Sequence, residues 1–268
     1  VSEKFEASWL QLREPVDDLS RAMGPLAPLQ EWWSARGASS VLDLGAGTGS
    51  NLRWLSPRLS GPQRWTLVDH DAELLRRATA PGTEVQVHPV VGDLWDAGLA
   101  QVTKADLVTA SALLDLVSDP WMGALADACS DAGSAAYFAL TYDGSIAWSG
   151  RSDPLDEVVH EAVNFHQRRD KGLGPALGPT ASGVAERLFT ALGYETHVES
   201  SPWTLGPDDA ALCLALVDGW AGAACEQRPS QVDAILQWAM RRREDVEHGD
   251  FGLVVGHQDL LALPPERK

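Results

Sequence analysis

Residues 41–51 read Val41-Leu42-Asp43-Leu44-Gly45-Ala46-Gly47-Thr48-Gly49-Ser50-Asn51. An apolar strand carrying one aspartate runs through three alternate glycines into helix-forming sequence. Residues without a Cβ let the backbone turn sharply and come close to a bound group. Downstream, short β-branched runs alternate with helical stretches. The expected strands are 40–44, 65–68, 84–88, 106–110 and 135–141, with helices near 50–58, 71–80 and 120–131. Such alternation means βαβ units, hence a doubly wound, mostly parallel α/β sheet. Asp119-Pro120 reads as a helix start, acceptor first and proline in the first turn.

Two more aspartates punctuate strand ends. Asp69 follows Leu67-Val68, 20 residues after Gly49, where an acceptor can take both ribose hydroxyls of a nucleotide. Asp93, in Val91-Gly92-Asp93-Leu94, closes the third unit near where an adenine would lie. The glycine spacing is G-x-G-x-G, whereas nicotinamide dehydrogenases usually carry G-x-G-x-x-G. A carboxylate at Asp43 suits an ammonium group and sits awkwardly beside a pyrophosphate.

With these marks the chain resembles the class I S-adenosylmethionine-dependent methyltransferases over residues 38–142. The resemblance implies a seven-stranded sheet whose last strand is antiparallel. It also implies S-adenosyl-L-methionine as cofactor. Gly45, Gly47 and Gly49, with Ala46, would line its methionine part. Asp43 would sit near its amino group, Asp69 on the ribose, and Asp93 with Leu94 on the adenine, with Asn51, His70 and Ser111 as further cofactor-binding candidates.

Outward from this core, residues 1–37 form an expected N-terminal helical cap, with Phe5, Trp9, Leu12, Leu26, Leu29, Trp32 and Trp33 at apolar positions and a break at Gly24-Pro25. Residues 38–268 form the α/β domain. After Thr141 the alternation pauses. Residues 142–182 and 206–250 are expected as helical lid insertions, with strands at 194–200 and 252–263. In the first insertion, His160, Asn164, Gln167 and Lys171 fall on one helix face (i, i+4, i+7, i+11). His160 or His166 is then a candidate base, and Asn164, Arg168, Arg169 and Lys171 candidates to bind an anionic acceptor. Asp115 and Tyr142, at the ends of the fourth and fifth strands, are the other candidate catalytic groups. Arg241-Arg242-Arg243 reads as a solvated helix end, and His257 as a strand histidine satisfied locally.

Composition narrows the function. Lys plus Arg total 21 against 38 Asp plus Glu, a formal charge of −17. Such a chain repels phosphate backbones and anionic lipid, which argues against nucleic acid or membrane as partner. The Asn/Asp-Pro-Pro-aromatic tetrapeptide of amino-group methylation is absent after the fourth strand, where Ser111-Ala112-Leu113-Leu114 stands. Cys129, Cys213 and Cys225 lack metal spacing, so no metal site is expected. No apolar run approaches the ~18 residues of a membrane span, and the start Val1-Ser2-Glu3-Lys4 has no signal-peptide core. The expectation is a cytoplasmic enzyme, monomer or homodimer, that methylates a small molecule. The alternatives are a non-catalytic S-adenosylmethionine-binding sensor or subunit, or a protein side-chain methyltransferase.

Overall fold

The computed structural model describes residues 6–266, so Phe5 and the rest of residues 1–5 lie outside the described residues. Helices α1 (Ala7–Ser20) and α2 (Leu26–Arg36) precede the sheet, and the chain breaks between them as expected. Then come β1 (Ser40–Leu44), α3 (Ser50–Leu55), β2 (Gln63–Asp69), α4 (Ala72–Leu75), β3 (Val85–Val91), α5 (Leu99–Val102), β4 (Leu107–Ser111), α6 (Asp119–Ala132) and β5 (Ala135–Gly150). The second half runs α7 (Asp156–Gln167), α8 (Ala181–Ala191), β6 (Glu195–Ser200), β7 (Trp203–Leu205), α9 (Ala210–Gln227), α10 (Val232–His248) and β8 (Phe251–Leu263).

The sheet order is β3-β2-β1-β4-β5-β8-β6, with β7 also paired to β8. The first five strands are mutually parallel, and β8 lies antiparallel between β5 and β6. This is the expected doubly wound architecture with one difference, eight strands for seven. The extra strand is a continuation of the β6 edge: β6 pairs with Gln258–Leu263 of β8, and β7 with Leu253–Val255. Between them stand Ser201 and Pro202, and proline has no N–H for the ladder.

Two apolar layers cover the sheet. One face packs Leu42, Val108 and Phe138 against Trp121, Met122 and Leu125 of α6 and Phe189 of α8. The other packs Val41, Trp65, Leu67 and Tyr137 against Leu29 and Trp33 of α2 and Leu52 and Leu55 of α3. At roughly 1.5–3 kcal/mol per fully buried large apolar side chain, these layers dominate the fold's stability.

Several expected boundaries move for identifiable reasons. The helix expected over 71–80 is only four residues long, capped by Asp71 Oδ1 on the N–H groups of Glu73 and Leu74. In α6, Asp119 is the first helical residue and Ser118 the N-cap, so Asp119 is not the cap. The fifth strand does not stop at Thr141; it runs to Gly150 beside β8, bulging between Phe138 and Thr141 and between Tyr142 and Ile146. Residues 142–150 are therefore strand and not the start of a helical insertion. Leu140 sits at φ 56° within the bulge. Its N–H is held by Asp259 Oδ1 (2.8 Å), and Asp259 also accepts from Ser201 Oγ (2.6 Å), Tyr137 Oη (3.0 Å) and Ala22 N (3.1 Å). One buried carboxylate thus pins β5, the β6–β7 corner and the N-terminal helices to β8.

The basic run of α10 is also not a solvated end. Arg242 is fully buried. Its guanidinium is paired with Asp156 through two bonds, donates to Arg151 O (2.8 Å) and Asp245 Oδ2 (3.1 Å), and lies 4.6 Å from the Trp148 ring. Arg241 pairs with Asp153 (2.5 Å) and Arg243 with Asp218 (2.5 Å). The acidic α7 segment is the partner that the sequence, read locally, could not show. It docks on α9 through Val159, Ala162 and Val163.

Candidate functional site

The carboxyl ends of β1, β2 and β4 enclose a cavity of about 220 Å³. Its wall holds Asp43, Gly45, Ala46, Gly47, Asn51, Asp69, His70, Asp93, Leu94 and Ser111, ten of the eleven residues assigned to the cofactor from sequence. The eleventh, Gly49, lies behind the wall. It turns the chain into α3 at φ 81°, where a Cβ would stand 2.9 Å from Ala78 Cβ.

The loop is shaped from beneath. Ala46 N donates to Val68 O (3.1 Å) and Gly49 N to Ala46 O (2.8 Å). Asp69 Oδ2 accepts from Gly47 N (2.8 Å), and its Oδ1 accepts from Asp71 N (2.9 Å). Gly47 has φ 53°, and a Cβ there would come 3.2 Å from Leu10 of α1. Two of the four lone-pair sites of Asp69 are thereby used, leaving two for a ligand.

Asp43 is buried at the end of β1. Its Oδ1 accepts from Asn51 Nδ2 (2.8 Å), while Oδ2 is buried with no hydrogen-bond partner among the described residues. Burial pushes its pKa up to about 7, with the Asn51 hydrogen bond and the Arg21 charge acting in the opposite direction. An unpartnered buried carboxylate oxygen is costly unless a donor or cation meets it. This donor set fits the amino-acid end of S-adenosylmethionine: an acidic oxygen for an ammonium, a glycine turn without side chains, and a braced second aspartate beyond it. Asp93 Oδ1 is spent on Asp96 N (2.7 Å), capping the turn in which Leu94 lies.

The other end of the cavity is built by elements that the sequence reading did not assign to the site. Leu10, Arg13 and Asp17 of α1 line it together with Leu113, Leu116, Val117, Lys171 and Leu173. Arg13 holds Asp17 through two bonds (2.8 and 3.1 Å) and lies 4.8 Å from the Trp203 ring, whose Nε1 donates to Asp17 Oδ1 (3.0 Å). Arg13 and Asp17 of α1 and Arg21 just after it recur at every fourth residue, and that spacing was the available signal. Ala112, also in the wall, is held at φ 52° with its N–H on Ala139 O (2.9 Å).

The remaining candidates from sequence separate. Of the basic cluster, Lys171 reaches the wall. Arg168 and Arg169 are exposed, and Arg169 pairs with Glu226. The helix carrying them stops at Gln167, so Lys171 does not continue the face of His160 and Asn164. It belongs instead to a loop folded by Asp170 Oδ1 on Gly172 N (2.7 Å) and Gly174 N (3.1 Å), anchored where Leu177 N meets Val117 O (2.8 Å). His160 Nε2 contacts Gly144 O, which also accepts from Asn164 Nδ2 (2.9 Å). Tyr142 Oη donates to Asn164 Oδ1 (2.8 Å), and burial raises its pKa. His166 stands 3.4 Å from Glu226. Asp115 is buried between Leu113 and Leu116. Burial pushes its pKa up to about 6, opposed by its own and the Tyr142 backbone N–H and by the charges of Arg13 and Lys171. His257, buried against Trp203, is pushed down to about 3 by burial, with Arg13 also lowering it, and its Nδ1 bonds Val255 O (3.0 Å). No group of His, Cys, Asp and Glu among the described residues could hold a metal ion.

Residues 41–132 match the family model described as "Methyltransferase domain". No curated protein matches the chain at a significant level. Similar solved structures include phosphoethanolamine N-methyltransferase 2 of Haemonchus contortus, 15% identical over 90% of this chain and 52% of that one, TM-score 0.40. The chain spans about half the length of that protein. Others are the YcgJ protein of Bacillus subtilis (15%, 91% and 100%, TM-score 0.47) and the cyclopropane synthase MmaA2 of Mycobacterium tuberculosis (12%, 87% and 83%, TM-score 0.45). The likenesses are weak, and the assignment rests on the family match, the sheet order and the glycine loop with its three aspartates. Residues 41–132, about a third of the chain, are thus similar to a methyltransferase domain.

Proposed function

We propose that the cavity binds S-adenosylmethionine and that the chain transfers its methyl group to a small-molecule acceptor. The observation that carries this reading is the buried, partnerless Asp43 Oδ2 beside a glycine turn braced by Asp69. Asp43 and Asn51 would hold the amino group, Asp69 and His70 the ribose, and Asp93 with Leu94 the adenine. When bound, the sulfonium supplies an activated methyl group for in-line displacement.

The chain's own contribution is then orientation and exclusion of water. Leu10, Leu113, Leu116, Val117 and Leu173 offer the acceptor an apolar enclosure, while Lys171 and the Arg13–Asp17 pair meet its polar end, with Lys171 suited to an anionic group. Asp115, between the wall residues Leu113 and Leu116 and with its pKa pushed up to about 6, does not itself line the cavity and would meet a protonated nucleophile only if that wall moved. His160, His166 and Tyr142 are committed to other partners.

Transfer of an isotopically labelled methyl group into a metabolite extract tests the reading. Labelled product with release of S-adenosylhomocysteine is expected. Tight binding of S-adenosylmethionine without transfer to any acceptor would favour a sensor or subunit, and absence of binding would refute the assignment.

A further inference from the structure

Arg21 lies in the connection between α1 and α2, far in sequence from the glycine loop, yet its side chain is buried at the sheet's ligand end. Its Nη1 donates to Asn51 Oδ1 (2.7 Å) and its Nη2 to Ser111 Oγ (3.1 Å), with the guanidinium 4.8 Å from the Trp54 ring. Asn51 in turn donates through Nδ2 to Asp43 Oδ1 (2.8 Å) and to Thr109 Oγ1 (3.1 Å), and Thr109 spends its own proton on Tyr137 O (2.7 Å). These bonds fix the polarity of the Asn51 amide. A flipped amide would turn its NH₂ towards a guanidinium and its oxygen towards a carboxylate, two repulsions in place of two bonds.

We propose that Arg21 is a positioning residue of the cofactor site: acting through Asn51, it holds Asp43 oriented and ionised for the ammonium group of the ligand. The inference rests on the cofactor reading above. It makes the N-terminal helical segment part of the binding machinery, although Arg21 itself is not in the cavity wall.

The charges around the relay are defined. Asp43 faces Asn51 of α3, Thr109 of β4, Asp69 of β2 and Arg21. Arg21 faces Asp18, Asp43 and Asp259. Burial and Asp69 favour the protonated form of Asp43, and Asn51 and Arg21 favour the charged one. Without Arg21 the balance moves towards the neutral acid, and the Asn51 amide loses the donor that holds its oxygen side. The ammonium then loses its counter-charge, whereas adenine and ribose contacts are untouched.

Two measurements on the full chain test this. The first is an NMR pH titration of the Asp43 carboxyl in the ligand-free protein. The parent midpoint is expected near 7, and Arg21→Met should raise it by about one pH unit, with Arg21→Lys recovering part of the shift. The second is calorimetry at pH 6 to 9 with S-adenosylhomocysteine and with methylthioadenosine, which lacks the amino-acid group. Arg21→Met should weaken S-adenosylhomocysteine about fivefold at pH 7, less at pH 9, and leave methylthioadenosine within about twofold. An unmoved Asp43 midpoint, or equal loss of both ligands at every pH, would overturn the proposal while leaving the cofactor reading intact. A parent that binds neither nucleoside would refute the cofactor reading, and the carboxyl titration would still decide what Arg21 does to Asp43. Should Arg21→Met fail to fold, Asn51→Ala breaks the same relay with Arg21 in place and is expected to raise the midpoint likewise. An unshifted midpoint there would overturn the proposal.

Discussion

Replacing Asp69 with Ala separates what that carboxylate does for the protein from what it does for the ligand. In the free chain its two oxygens hold Gly47 N and Asp71 N at 2.8 and 2.9 Å. Removing them strands the N–H of Gly47, in the buried floor of the loop, at about 1–3 kcal/mol. That loss falls on stability and is read in a thermal melt. The two lone-pair sites left over are those offered to the ribose hydroxyls. Charge-assisted bonds are worth about 1.5–3 kcal/mol, so affinity for S-adenosylhomocysteine should fall roughly 10- to 150-fold at 25 °C. Methylthioadenosine keeps the same ribose, and its affinity should fall by a similar factor. Asp43→Asn should instead penalise S-adenosylhomocysteine alone. Isothermal titration with the two ligands against the two variants gives a four-way comparison. If Asp69→Ala stays folded and binds both ligands within twofold of the parent, the ribose assignment is wrong.

Three further outcomes are expected. Asp43 and Asp115 have folded pKa values raised from 3.8 to about 7 and about 6. Their contribution to stability is therefore fully present below about pH 4 and lost as pH rises through those values, and above pH 7 Asp115→Asn should melt later than the parent, by about 1–3 kcal/mol; a variant less stable at pH 8 would contradict the desolvation argument. Arg242→Met leaves Asp156 and Asp245 facing a buried void of charge and should cost about 3–5 kcal/mol in denaturant unfolding, while Arg243→Met, at an exposed pair, should cost under about 1 kcal/mol; equal effects would refute the burial difference. Hydrogen exchange should slow at residues 171–174 on adding S-adenosylhomocysteine, because that loop closes the cavity wall, and full protection without ligand would show that it does not open.

The acceptor end and the cofactor end differ in how they are built. The cofactor end is assembled from strand ends and the turns that follow them, each a local piece of chain. The other end, proposed above for the acceptor, is lined by α1, the segment after β4 and residues 171–173, which lie more than fifty residues apart in sequence. Asp43, Asp69 and Asp93 line the first end of the cavity and the Arg13–Asp17 pair the second, so the two ends differ in charge.

The sequence by itself determined the sheet and its ligand edge. Parallel strands in the first half follow from alternating βαβ units, and Asp43, Gly47, Asp69 and Asp93 are marked by standing at or just after strand ends. Both are local properties, set by periodicity and by which residues tolerate a positive φ, whereas the strand order is seen only in the folded sheet. What the tertiary structure alone decided are contacts between segments with no periodic relation to one another. Arg242 reads as a surface cation until α7 brings Asp156 to it. His160 reads as a base until the β5 bulge presents the Gly144 carbonyl. Lys171 is one of three cations until the loop folded by Asp170 turns it into the cavity and leaves Arg168 and Arg169 in water. Arg13 looks like part of the polar face of a helix, and it reaches the cavity wall because Asp259 and Trp203 tie the N-terminal segment over the carboxyl end of the sheet. A side chain's partner across the fold depends on how whole elements pack, and no window of sequence contains that information.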